Sequence, residues 1–193
     1  MNSICVFCGS SLGSDPSFES TAIELGKLLA EKKIDLVYGG SKIGIMGTVA
    51  AACKKQGGRV IGVIPHFLDK VEISNTDADE LITTTSMHER KKKMSEMAQG
   101  FIALPGGFGT LEELCEILTW GQLGLIRNPI GILNVNGYYD HLITLFEHMN
   151  SNGLLNKENM GLYVTSDNVP DLLAKIMEFE PPVTSFHKKL NLT

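Results

Sequence analysis

The amino-acid sequence predicts an α/β protein: a single-domain doubly wound parallel sheet, Rossmann-like in class. Two observations carry that expectation. Short apolar runs alternate with helical patterns along the chain, which is how βαβ units with helices on both sheet faces read. Three of those runs end in glycine-rich turns that lead into a helical pattern, as strand ends do where such a sheet meets a ligand. A length of 193 residues fits one domain with a sizeable core.

The elements follow in order. ICVFCGS is a buried strand, and Asp15-Pro16 is an N-cap with proline at the first helical position. Phe18, Ala22, Leu25 and Leu29 then line one helix face. DLVYGG is a second strand, residues 44–56 a helix rich in Ala and Gly, and Gly57-Gly58 its stop. RVIGVIP is a third strand. Residues 66–80 are polar and irregular, and the expectation there is a mobile loop. ELITTT is a short strand, 86–98 a helix, GFIALPGG a buried strand and 110–123 a helix. PIGILNV, a helix over 139–150, LYVTS and a helix over 169–179 complete the pattern. The expected domain is 1–180, with 181–193, starting Pro-Pro, as a loose tail.

Composition narrows the function. The net charge of -5 disfavours general nucleic-acid binding. No apolar run approaches the roughly 20 residues of a membrane span, and the N-terminus carries no basic leader, so the expectation is a cytoplasmic protein. Cys5 and Cys8 form C-x-x-C, but three residues apart on a strand they point to opposite faces. Buried core thiols are expected there, and Cys53 and Cys115 read the same way.

The glycine turns are CGSSLG, YGGSKIGIMG and LPGGFGT. Glycine lets backbone N–H groups converge on a ligand, and a following helix N-terminus favours an anion. Three such turns at one sheet edge point to a phosphate-bearing ligand. The second strand ends in Gly39-Gly40 without a carboxylate for a ribose diol, and no G-x-x-x-x-G-K-[ST] occurs. A mononucleotide or sugar phosphate fits better than a dinucleotide.

Two side chains stand out beside these turns. Thr110-x-x-Glu113 has capping-box spacing, with Thr110 as N-cap. Glu113 shares a helix face with Ile117 and Trp120, whereas Glu112 shares one with Glu116 and Thr119. Desolvation would raise the pKa of Glu113 and a helix N-terminus would lower it, so spacing leaves the sign open. Ser86-x-x-Glu89 is a second capping box, and Arg90 lies on a stripe with Met87, Met94 and Met97. Arg90 is either a snorkelling side chain or the partner of an anion or carboxylate.

PGGFGTLEE, preceded by MHERK, resembles the Lonely Guy family, the cytokinin riboside 5′-monophosphate phosphoribohydrolases. The family pattern P-G-G-x-G-T-x-x-E is matched at Pro105, Gly106, Gly107, Gly109, Thr110 and Glu113, and the resemblance covers nearly the whole chain. It implies a Rossmann-like homodimer that hydrolyses the N-glycosidic bond of a nucleoside 5′-monophosphate, a cytokinin riboside monophosphate or AMP, to a free base and ribose 5-phosphate. The family's catalytic arginine falls on Arg90 and its catalytic glutamate on Glu113, with Lys91 in the nucleotide site. Its nucleotide-contacting segment falls on 107–113, so on Phe108, Leu111 and Glu112 as well, with further contacts at Glu72 and Thr119. Ser10, Gly40 and Gly106 in the glycine turns and Met87 beside Arg90 join them as substrate-binding candidates. No metal and no cofactor is expected, since the five histidines are scattered. The alternatives at this point are a non-catalytic nucleotide or molybdenum-cofactor carrier using the same cradle, a pyridoxal-dependent lysine decarboxylase, and a broader purine nucleotide nucleosidase.

Overall fold

The computed structural model describes residues 1–69 and 73–184. Seven strands, β1 (Ser3–Phe7), β2 (Asp35–Tyr38), β3 (Val60–Pro65), β4 (Glu80–Thr84), β5 (Phe101–Ala103), β6 (Ile130–Leu133) and β7 (Tyr163–Ser166), make one sheet in the order β4-β3-β2-β1-β5-β6-β7. Every pairing is parallel. Strands added after β1 build outward to one side until β4, and the chain then returns to place β5 on the other side of β1. The crevice of a doubly wound sheet opens at such a switch point, beyond the strands' carboxyl ends.

Side-chain alternation along the strands splits the core into two layers. Ile4, Val6 and Cys8 pack with α1 (Pro16–Glu31), α2 (Gly44–Lys55) and α7 (Val169–Met177). Cys5 and Phe7 face the other way, onto α4 (Met87–Glu96), α5 (Phe108–Gln122) and α6 (Asp140–Ser151). The C-x-x-C pair is thus divided between the two layers, and burial pushes both thiols well above their ordinary pKa. Cys115 departs from expectation. It is exposed on α5, because the helix turns Leu114 and Ile117, not Cys115, onto the sheet.

The caps follow the local chemistry. Asp15 accepts from the Ser17 N–H at 2.9 Å with Pro16 opening α1, and Gln56 and Gly57, the latter at φ +80°, end α2. Ser86 accepts from the Glu89 N–H at 3.2 Å, while the Glu89 carboxylate reaches back to the N–H and hydroxyl of Thr85. A cap of this kind stabilises a helix by about 1 kcal/mol.

The 66–80 stretch, described at 66–69 and 73–80, is less irregular there than its composition suggests. It holds one helical turn, α3 (His66–Asp69), and a bridge between Ser74 and Ser41. The expected contact at Glu72 lies outside the described residues, as does most of the expected tail, 185–193. Thr184 is fully buried and donates to the Gln122 carbonyl at 3.2 Å. No helix among the described residues is long and apolar enough to cross a membrane.

Candidate active site

Strand register assembles the site before any side chain contributes. Val6 pairs with Tyr38 and Phe7 with Ala103, so the turns after β1, β2 and β5 leave the sheet side by side. Together they enclose a cleft of about 220 Å³ lined by Gly9, Ser10, Gly39, Gly107, Phe108, Gly109 and Thr110, with Arg90 and Glu113. A second cavity shares Gly9, Ser10 and Gly107 with it and adds Gly106 and Tyr138.

The third glycine turn does not start its helix where the sequence suggests. The N-cap of α5 is Gly107, so Thr110 is the third helical residue and the capping box with Glu113 does not form. Gly107 has no side chain to cap with, and the first helical amides, from Phe108 to Thr110, lack intrahelical acceptors. These residues line the cleft, so their donors are available to an anion there. The glycines divide by the space around them. A Cβ on Gly106 would lie 2.1 Å from Thr110 Oγ1, whereas one on Gly107 or Gly109 would meet nothing within 4 Å. Gly106 is needed for packing; the other two leave open space on the ligand side.

Glu113 is freed from capping by a stronger partner. Its Oε1 accepts from Arg90 Nη1 at 3.0 Å, and both residues are only 7% exposed. A charge-assisted bond to guanidinium outweighs a carboxylate bond to one backbone amide. Arg90 is held at two further points: Nε donates to the Val63 carbonyl at 3.0 Å and Nη2 to the Gly39 carbonyl at 3.4 Å. A Cβ on Gly39 would fall 2.1 Å from Nη2, so glycine is required for the guanidinium to reach that position. Arg90 is therefore the partner of a carboxylate and not a snorkelling side chain.

Burial raises the pKa of Glu113, opposed chiefly by the Arg90 charge. The sign left open by the spacing is settled by position. Glu113 stands at the sixth helical residue, beyond the first turn where the helix dipole acts. The result is a buried carboxylate that holds a proton more readily than a surface glutamate, beside amides that can bind an anion.

The remaining candidates divide. Gly40 adjoins the cleft at φ +74°, packed against Ile64 rather than facing it. Met87 and Leu111 are half-buried and are not among the lining residues. Lys91 is buried outside the cleft lining, where its Nζ binds Glu112 and lies 3.1 Å from Glu116. Thr119 donates to the Cys115 carbonyl at 2.7 Å and borders a separate apolar cavity with Leu118 and Phe146. Sequence reasoning missed Gly39 as an acceptor for Arg90, although its double glycine was visible. It also missed Tyr138, for which spacing carries no signal.

A pyridoxal cofactor would need a lysine amine in the cleft for its Schiff base. None of the cleft-lining residues is a lysine, so the residues present do not fit that group. Among the described residues no cluster of His, Cys, Asp or Glu could hold a metal ion.

The model of a family described as "Possible lysine decarboxylase" matches residues 46–176. A cytokinin riboside 5′-monophosphate phosphoribohydrolase of Arabidopsis thaliana is 45% identical over 187 residues, covering 97% of this chain and 86% of the relative. One of the same name from Oryza sativa subsp. japonica is 44% identical over 178 residues, 92% of this chain and 74% of the relative. Among solved structures, the molybdenum cofactor carrier protein of Chlamydomonas reinhardtii superposes with a TM-score of 0.71 at 22% identity, over 92% of this chain and 97% of that one. At that identity the likeness is one of fold.

Proposed function

The chain belongs to the family of the cytokinin riboside 5′-monophosphate phosphoribohydrolases, whose family model is described as a possible lysine decarboxylase, and from that premise we propose that it is a hydrolase of nucleoside 5′-monophosphates. Water adds to C1′ of the ribose, the bond from C1′ to the base nitrogen breaks, and the products are the free base and ribose 5-phosphate. Cytokinin riboside monophosphates are the first substrates in this reading, and AMP a second.

The observation that carries the proposal is the buried Arg90–Glu113 pair at the side of a cleft rimmed by unpaired helix-start amides. Glycoside cleavage passes through a state in which positive charge builds on the sugar ring. The Glu113 carboxylate stabilises that charge and takes a proton from the attacking water. Its raised pKa suits it to that role nearer neutral pH. Arg90 holds the carboxylate in place through three fixed contacts. The amides from Gly106 to Thr110 hold the 5′-phosphate. A carrier would need the same cradle but would have no use for the buried carboxylate.

Incubation with AMP and with isopentenyladenosine monophosphate is expected to release base and ribose 5-phosphate in equal amounts. Failure to release base from any nucleoside monophosphate overturns the proposal.

The same reading makes the protein a homodimer. Support comes from the outer face of α4 and α5, where a groove is lined by Trp120, Ile126 and Leu125, the last 68% exposed. Lys91, Glu112 and Thr119 also stand outside the cleft of their own chain. Light scattering should give about twice the 21.0 kDa chain mass; a monomer at micromolar concentration would refute it. The free thiols of Cys5, Cys8 and Cys53 support placing the enzyme in the cytoplasm.

A further inference from the structure

Three successive carbonyls of the cradle turn are each held by a donor from elsewhere in the chain. Leu104 O accepts from the Tyr139 hydroxyl at 2.6 Å, Pro105 O from the Gly9 N–H at 3.2 Å, and Gly106 O from the Tyr138 hydroxyl at 2.6 Å. The two tyrosines are neighbours between the 3₁₀ turn Val135–Gly137 and α6, with rings edge to face at 4.9 Å. Their positions differ. Tyr139 is 2% exposed in the core, while Tyr138 is 43% exposed, packs edge-on against Phe18 at 5.4 Å and lines the second cavity.

The consequences of the two bonds also differ. A trans peptide is planar, so its C=O and the following N–H point in opposite directions. Leu104 O shares its peptide with Pro105, which has no N–H. Holding that carbonyl therefore orients no donor. Gly106 O shares its peptide with the N–H of Gly107, a residue that lines both cavities. Among the described residues no protein group accepts from that N–H. A hydrogen bond to a carbonyl also polarises its peptide and strengthens the N–H as a donor.

We propose that Tyr138 is a positioning residue: its hydroxyl locks the Gly106–Gly107 peptide plane so that the Gly107 N–H is presented, polarised, to the substrate's phosphate. The inference rests on the phosphate reading of the cradle and adds a residue outside the helix-start motif to it. Tyr139 is assigned the opposite character, a core donor with no influence on the ligand.

The test compares Tyr138→Phe with Tyr139→Phe, using ribose 5-phosphate binding by calorimetry as well as turnover. Losing one oriented neutral hydrogen bond corresponds to roughly a tenfold effect at most. For Tyr138→Phe the Kd for ribose 5-phosphate and the KM for the nucleoside monophosphate should rise together by about five- to tenfold. kcat should stay within about twofold, and affinity for the unphosphorylated riboside should not change. Tyr139→Phe should lower the melting temperature and leave the Kd unchanged. The inference is overturned if Tyr138→Phe binds ribose 5-phosphate as well as the wild type, if it weakens riboside and monophosphate alike, or if Tyr139→Phe has the same effect. A wild type that binds ribose 5-phosphate without releasing base overturns the hydrolase reading and leaves the Kd comparison to decide this one. A wild type that binds no sugar phosphate overturns both.

Discussion

Glu113→Gln is expected to lower the rate of base release by about a thousandfold while leaving the fold intact. The substitution keeps the shape of the side chain and its acceptor for Arg90 Nη1, now 3.0 Å away. In the proposed mechanism it removes the charge that stabilises the sugar ring and the base that takes the water's proton. Stability should fall, because the Arg90 guanidinium is then buried without its counter-charge, although it keeps its bonds to the Val63 and Gly39 carbonyls. The linkage has a definite sign. A carboxyl whose folded pKa lies above its unfolded value stabilises the fold fully below the unfolded value, and that contribution is lost as pH rises through the folded pKa. The wild type should therefore lose stability relative to Glu113→Gln as pH rises from the ordinary glutamate range through the raised value. The acidic limb of wild-type kcat/KM should lie above about 4.3, the ordinary glutamate value. Single-turnover rates and thermal melts across pH measure both. Turnover within tenfold of the wild type would remove Glu113 from the chemistry.

Arg90→Met should be the more damaging change, because it strikes stability and rate together. It leaves a buried carboxylate without its cation, and breaking a pair of this kind costs about 3–5 kcal/mol. That is a large fraction of the roughly 5–15 kcal/mol that holds a typical domain folded. The Val63 and Gly39 carbonyls also lose their donor. Arg90 is the chief influence lowering the pKa of Glu113, so its loss should move the acidic limb further toward alkaline pH. Turnover should fall by at least about a hundredfold from misplacement of the carboxylate alone. Arg90→Lys keeps the charge but cannot hold three divergent acceptors with one ammonium, and should recover part of the stability and little of the rate. Adding Glu113→Gln to Arg90→Met should restore much of the lost stability, since no unpaired charge then remains. Denaturant midpoints for the single and double variants form the cycle. An Arg90→Met protein with the wild-type midpoint and pH profile would show that the pair is not coupled.

The site was legible unevenly. Gly9, Ser10 and the 107–110 turn could be placed on strand ends because glycines after apolar runs mark where backbone approaches a ligand. The pairing of Arg90 with a carboxylate was one of two readings of its methionine stripe. It was decided by β3 and the turn after β2, whose carbonyls steer the guanidinium toward α5. The capping box at Thr110 failed for the same reason. Local spacing offers Glu113 a backbone amide, and the fold offers it a cation 23 residues away in sequence. Cys115 was misplaced because its apolar character suggests the core, while the orientation of α5 is set by Leu114 and Ile117.

The alternation of strands and helices, the parallel sheet, the division of Cys5 from Cys8 and the glycine turns at one edge were determined by the sequence alone. Each depends on periodicity or on the backbone freedom of single residues, and these act over a few positions. Only the tertiary structure decided where α5 begins, which way the pKa of Glu113 moves, and that Tyr138 holds the Gly106 carbonyl. These depend on burial and on donors brought in from distant strands and turns. A carboxylate's environment is set by the fold around it, and no spacing along the chain specifies that.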